Sequence, residues 1–181
     1  MNIFFLSRTS HQECAEMHCS AHTIKMILEH CQLLSTAHRV LDGEEYTAIS
    51  AAGRRSKAFR MRSVGDDEFL YKATHLNHPS AIWTRSNRSC YEYLHKLTVA
   101  LCKEYTYRYG KIHKCESSGL LDRLATPPMN IKDGEFTEPP PAMPDEYIVV
   151  GDSVESYRRY YMGAKRHIAE WKNRSVPYWY K

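Results

Sequence analysis

Six polar side chains, His18, His22, Lys25, Glu29, Gln32 and Thr36, follow one another in steps of four, three, four, three and four. Such steps stack on one narrow face of an α-helix. Ala21 lies on one side of this stripe, and Met26, Leu33 and Ala37 lie on the other. The opposite face carries Ile24, Ile27, Leu28, Cys31 and Leu34. The pattern predicts a helix buried around most of its circumference, with one titratable groove left open. Two imidazoles, an ammonium and a carboxylate in such a groove suit acid/base, nucleophilic or phosphate-directed chemistry. A water-facing polar stripe with an ordinary (i, i+4) Lys25–Glu29 ion pair has the same spacing.

A second cluster lies in Lys72–Arg85. Thr74, His75, Asn77 and His78 directly precede Pro79, which can open a helix containing Ile82, Trp83 and Arg85. Amide donors at a helix start attract phosphate, His and Asn can hydrogen-bond a base or sugar, Arg can hold phosphate, and Trp can stack. The same polar residues also suit plain helix capping. A metal shell is a third option, because His11, Cys14, His18 and His22 have helical spacing and His75 and His78 could complete it. No pair among them has a finger spacing, so no metal is assigned. Motifs for dinucleotides, P-loops and α/β-hydrolase nucleophiles are missing, and no cofactor is expected.

The elements that must carry these residues follow from the rest of the chain. A length of 181 residues with 43% hydrophobic and 25% charged residues suits one domain, 1–181, with a real core. Ile3-Phe4-Phe5-Leu6 reads as a short buried opening segment with one strand as its candidate form, too short for a signal sequence. Thr9 or Ser10 can cap a helix running from about residue 11 to about residue 40. Residues 43–70 are weakly periodic and look like an exposed, mobile basic insertion. A further helix is expected from about Tyr91 to about Tyr109, ended by Gly110, with a short one over Leu120–Leu124. Residues 126–144 are proline-rich and read as an extended strap, followed by a last helix over about 153–171. Strand signals are few. The expected class is mainly α, a single compact helical domain with long loops.

Charge is uneven along the chain. The net charge is only +4, but Arg54, Arg55, Lys57, Arg60 and Arg62 fall within nine residues, and seven more cations crowd the C-terminus. Many of the 13 tyrosines and 3 tryptophans sit among those C-terminal cations. Cations interleaved with aromatics suit a surface that neutralises phosphates and stacks on bases. DNA or a nucleotide is therefore the expected partner. Lys111, just after Gly110, can reach the same cleft or cap a helix end. Six cysteines without a CxxC pair suggest reduced, packed thiols, and no segment reaches the length of a membrane span. A cytoplasmic location, in a host cell if the chain is viral, is the corresponding expectation.

The tail Arg174-Ser175-Val176-Pro177-Tyr178-Trp179-Tyr180-Lys181 resembles the Arg-Pro-x-Trp-Tyr-Lys ending of the pyrimidine-dimer DNA glycosylase/AP lyase family of T4-like phages. The segments NHPS, EYTYRYGK and PPPAMPDEY also look like those of an uncharacterised group of tailed-phage proteins. The resemblance implies a compact all-helical enzyme that exposes a base and attacks a nucleoside C1′, with the aromatic tail helping to hold DNA. That family attacks with the α-amine of a small residue exposed by methionine removal, whereas this chain starts Met1-Asn2. Lys25 is then the alternative amine, lowered in pKa by burial beside His22. Glu29 would stabilise the oxocarbenium-like sugar or activate water, and His18 and His22 would shuttle protons. Arg85 with Arg54, Arg55 and Arg60 would hold phosphates, and Trp83, Tyr178 or Trp179 would stack on bases. Two alternatives use the same groove: base modification or nucleotide processing on such a scaffold, and non-enzymatic binding of a nucleotide or host factor.

Overall fold

A computed structural model describes residues 1–181, of which 49% are helical and only two short strands are paired. The architecture is mainly α. Its first departure from the expected elements is a break in the opening helix. Helix α1 spans His11–Met17 and α2 spans Ser20–Asp42, with His18 and Cys19 extended between them. The break is held by partners that a straight helix would not meet. The Cys19 amide reaches the Tyr161 hydroxyl, the Ser20 amide donates to the Glu170 carbonyl, and His18 Nδ1 bonds the Cys14 carbonyl at 2.7 Å.

Helix α2 packs antiparallel to α5, Arg88–Tyr109. Contacts step along the pair from Tyr109–Ser20 through Thr98–His30 to Tyr91–His38. Asn87 caps α5 through the Cys90 amide, and Gly110 ends it at φ +64°, a conformation that costs other residues about 1 kcal/mol or more. Helix α1 and α4, Pro79–Thr84, pack on this pair, and Pro79 opens α4. Ile3–Leu6 runs through the core almost fully buried but pairs with no strand.

Residues 43–70 are not a structureless insertion. Strands β1, Glu44–Ile49, and β2, Arg55–Arg60, form an antiparallel hairpin with Glu44 opposite Arg60 and Ile49 opposite Arg55, and α3 follows at Val64–Phe69. Only Phe59 of the hairpin is buried, so the apolar alternation that announces a strand is missing. An isolated two-stranded ribbon is marginal in water. Here it is tied down by Arg39, whose side chain is completely buried. Arg39 donates to the carbonyls of Phe59, Asp67, Leu70 and Tyr71 and to the Asp67 carboxylate at 2.5 Å. All five guanidinium donors are used. Gly43 makes the turn into β1 possible, because a Cβ there would stand 2.4 Å from the Arg39 carbonyl oxygen.

Short helices α6, Lys114–Ser117, and α7, Leu120–Arg123, follow α5. Residues 126–144 contain neither helix nor strand. Their backbone is pinned by the Asp42 carboxylate at Met129 and Asn130, by Trp83 at Thr137 and by Tyr157 at Pro140. The last helix, α8, covers only Ser153–Met162 instead of reaching residue 171. It stops at Gly163, where a Cβ would lie 2.3 Å from the Tyr147 ring. No helix is long and apolar enough to cross a membrane.

Replacing Arg39 with methionine removes the donor shared by four carbonyls, while the Asp67 carboxylate keeps Lys72 and the Met61 amide; leaving buried carbonyls without that donor costs about 1–3 kcal/mol or more. Urea unfolding is expected to show that loss, and hydrogen exchange should show faster exchange across residues 55–72. Unchanged stability would mean that Arg39 does not hold this region.

Candidate functional site

The predicted stripe does not form one groove. His22, Lys25 and Glu29, from successive turns of α2, meet Met1, Asn2, Phe4 and Lys165 around a hollow of about 160 Å³. Lys25 Nζ lies 3.2 Å from Glu29 Oε1, with the lysine side chain 66% exposed and the glutamate 14%. The carboxylate is sheltered and the amine stands in water. The burial expected to activate Lys25 is therefore absent. Ile24 and Leu28, assigned to the buried face, are exposed, so the open face of α2 is turned toward Ala21 and away from Gln32.

His22 is nearly buried against the Phe4 ring, with centroids 4.2 Å apart, and its Nδ1 lies 2.7 Å from the Tyr161 hydroxyl. Burial above all, then His18, Lys165 and Lys25, hold it neutral with its pKa pushed down to about 3. His18 does not join it. Its Nδ1 bonds the Cys14 carbonyl, its Nε2 is buried without a partner, and it lines no hollow. That geometry makes His18 part of the helix break, not a proton shuttle. Thr36 is also buried, where its hydroxyl accepts the Thr74 amide at 3.2 Å and fastens the following loop to α2.

That loop brings the second cluster to the same side. His78 caps α4 through the Ser80 amide, leaving its other ring nitrogen free. Burial lowers its pKa, and Glu29 opposes the shift. The Ser80 hydroxyl donates to the Met1 carbonyl at 3.4 Å, which places the start of α4 beside the hollow that Met1 lines. His75 sits at φ +51° with Nδ1 2.7 Å from the Thr74 hydroxyl. Thr74, His75, Asn77 and His78 line an open groove of about 660 Å³ with Ser56 and Lys57 of β2. At the hairpin tip Arg54 and Arg55 are exposed and form no ion pair, whereas Lys57 pairs with Glu45 and Arg60 with Glu44.

Several expected ligand contacts are internal instead. Trp83 is buried and donates to Thr137, so it cannot stack on a base. Arg85 turns inward to the Leu76 carbonyl at 2.7 Å. Trp179 is buried with its Nε1 on Met17 Sδ, so the aromatic tail packs on the core. Tyr178 is exposed beneath the Arg158 guanidinium, and Lys111 is exposed beyond α5 and lines no hollow. Lys165, which lines the hollow, and Tyr161, which is buried behind it on His22, were not legible in the sequence, because both come from a segment more than a hundred residues away. No three His, Cys, Asp or Glu side chains converge as a metal shell would, and all six cysteines are free and buried. Comparison with protein-family models, curated proteins and solved structures gives no match.

Burial also lowers His18 and His38 to about 4 and His30 to about 3. With His22, four imidazoles are neutral in the fold near neutral pH yet protonate near pH 6.5 when unfolded. Between those values the unfolded chain binds more protons, so stability falls as pH drops, by about 1.4 kcal/mol per pH unit for each histidine. Denaturation between about pH 7 and about pH 5 should show this slope, flattened by about one proton in His22→Gln. A stability that stays level across that range would contradict the buried neutral state.

Proposed function

We propose that this chain acts on a nucleic acid strand and processes one nucleoside at the Lys25–Glu29 pair, in the manner of a DNA glycosylase. The observation that carries this reading is the shared face. A sheltered carboxylate with two lysines beside it adjoins a groove edged by His75, Asn77, His78 and Lys57, with two unpaired arginines at the hairpin tip. The hollow is smaller than the 300–1,000 Å³ of enclosed small-molecule sites, which favours one extruded unit of a strand over a whole free nucleotide.

In this reading Glu29 accepts a proton from the Lys25 ammonium, and the freed amine attacks C1′. The glycosidic bond breaks with its electron pair leaving on the base, which takes a proton from water. The hydroxide left by that water takes the second proton from the Lys25 nitrogen, the sugar ring opens with O4′ taking the proton held by Glu29, and C1′ is left as a protonated imine of Lys25. Hydrolysis of the imine returns the amine. Glu29 also faces the positive charge that develops on the sugar. The neutral His22 and the Phe4 ring form a wall that limits water.

The exposure of Lys25 favours a second reading, in which the lysine holds a phosphate and Glu29 alone assists group transfer to a base. Borohydride trapping separates the two. Purified protein is mixed with labelled duplexes carrying ultraviolet dimers, hydroxymethylated thymine or uracil. The first reading predicts a covalent adduct on Lys25 that disappears in Lys25→Ala without change in melting temperature, and turnover lowered about 10²–10⁴-fold in Glu29→Gln. Turnover without an adduct supports group transfer, and binding without turnover supports a non-enzymatic binder. Replacing Arg54 and Arg55 with alanine should reduce the slope of log affinity against log salt by about one unit per lost phosphate contact. An unchanged slope removes the hairpin from the interface.

A further inference from the structure

A second hollow, of about 480 Å³, opens at the other end of α2 and shares no residue with the Lys25–Glu29 site. His38, Asp42, Asp66 and Arg123 line it, with Arg62 at its mouth. Its volume falls in the range of small-molecule sites. His38 is only 2% exposed. Its Nε2 lies 2.9 Å from the Tyr91 hydroxyl, which in turn lies 2.9 Å from the Leu124 carbonyl.

Counting protons along this chain shows what is missing. A carbonyl can only accept, so Tyr91 gives its single proton to Leu124, and His38 Nε2 must donate to the Tyr91 oxygen. The neutral ring is then bare at Nδ1. No side chain bonds that nitrogen: Asp42 Oδ2 lies 4.0 Å away, and the Thr126 carbonyl, which can only accept, also lies within reach of the ring. Acceptors therefore face one another across a gap at the wall of the hollow. A single group with two or more N–H protons, about 2.8 Å from each, would satisfy both. Asp42 already accepts from the Met129 and Asn130 amides, and Asp66 holds Arg123 through two bonds of 2.7 and 2.9 Å. Those partners fix both carboxylates in place, and Arg123 holds Asp66 below the usual carboxylate range. A metal ion fits less well, since no three side-chain donors converge there.

We propose that this hollow binds a small molecule through a protonated primary amine that donates to His38 Nδ1 and the Asp42 carboxylate. The site stands on its own and does not depend on the reading of Lys25 and Glu29. The first test is calorimetric titration of the full chain with 1,4-diaminobutane, a dication near neutral pH, and with its permethylated bis-quaternary analogue, a dication that has no N–H. The diamine should bind at least about tenfold more tightly, the difference that one charge-assisted hydrogen bond supplies. His38→Phe should lose at least about tenfold in diamine affinity, provided its circular dichroism shows a folded chain. If that variant does not fold, ¹⁵N spectra of the histidine rings in the unaltered protein decide the question. The diamine should shift the bare Nδ1 signal of His38 and the permethylated dication should leave it in place. Equal binding of the two cations, no binding of the diamine, full affinity in folded His38→Phe, or an unmoved Nδ1 signal would each overturn the proposal.

Discussion

The buried Arg39 guanidinium is the interaction on which the functional face depends. Removing a cation from water is costly, and the cost is offset only when every donor finds an acceptor in good geometry. Arg39 meets that demand by drawing the Phe59, Asp67, Leu70 and Tyr71 carbonyls and the Asp67 carboxylate around one planar group. These acceptors span the end of β2, helix α3 and the chain leading to Thr74. Asp67 is held well below the usual carboxylate range, first by Lys72 and then by Arg39 and the Met61 amide, so it stays charged. A hairpin with a single buried residue is thereby fixed against α2. Three residues earlier on the same helix, Thr36 fastens Thr74. The groove between hairpin and loop follows from those two anchors.

Helix α2 serves both hollows. Lys25 and Glu29 present their charges near its start, and His38 and Asp42 present theirs near its end, about 14 Å further along the axis from Glu29 to His38. Between them the helix is buried on α5, and His30 is kept neutral by that burial, as His18 is at the break before the helix. The same desolvation that makes these histidines poor proton carriers makes them sensitive packing groups. His18 illustrates the point, since its ring replaces a backbone hydrogen bond where the helix breaks.

Local chemistry was legible in the sequence where local signals decide structure. Gly110 and Pro79 mark their helix boundaries by mechanisms that operate within a few residues. Legibility failed where distant partners decide. The break at His18 needs Tyr161 and Glu170, and α8 ends early because Gly163 lies against Tyr147. The hairpin is paired through charges such as Lys57–Glu45 and Arg60–Glu44, so its strands lack apolar alternation. Spacing on α2 placed His22, Lys25 and Glu29 on one face, and these three line one hollow. It could not say that Trp83 and Trp179 face the core, because indole rings suit a base stack and a protein interior equally well.

A nucleic acid strand bound over the Lys25–Glu29 hollow and the adjoining groove would cover one set of lysines and leave another in water. Amine-reactive labelling with and without duplex DNA distinguishes the two sets. DNA should protect Lys25, Lys57 and Lys165, while Lys111 and Lys172 remain as reactive as in the free protein. Protection of Lys111 and Lys172 with Lys25 and Lys57 still reactive would place the strand elsewhere and contradict that binding mode.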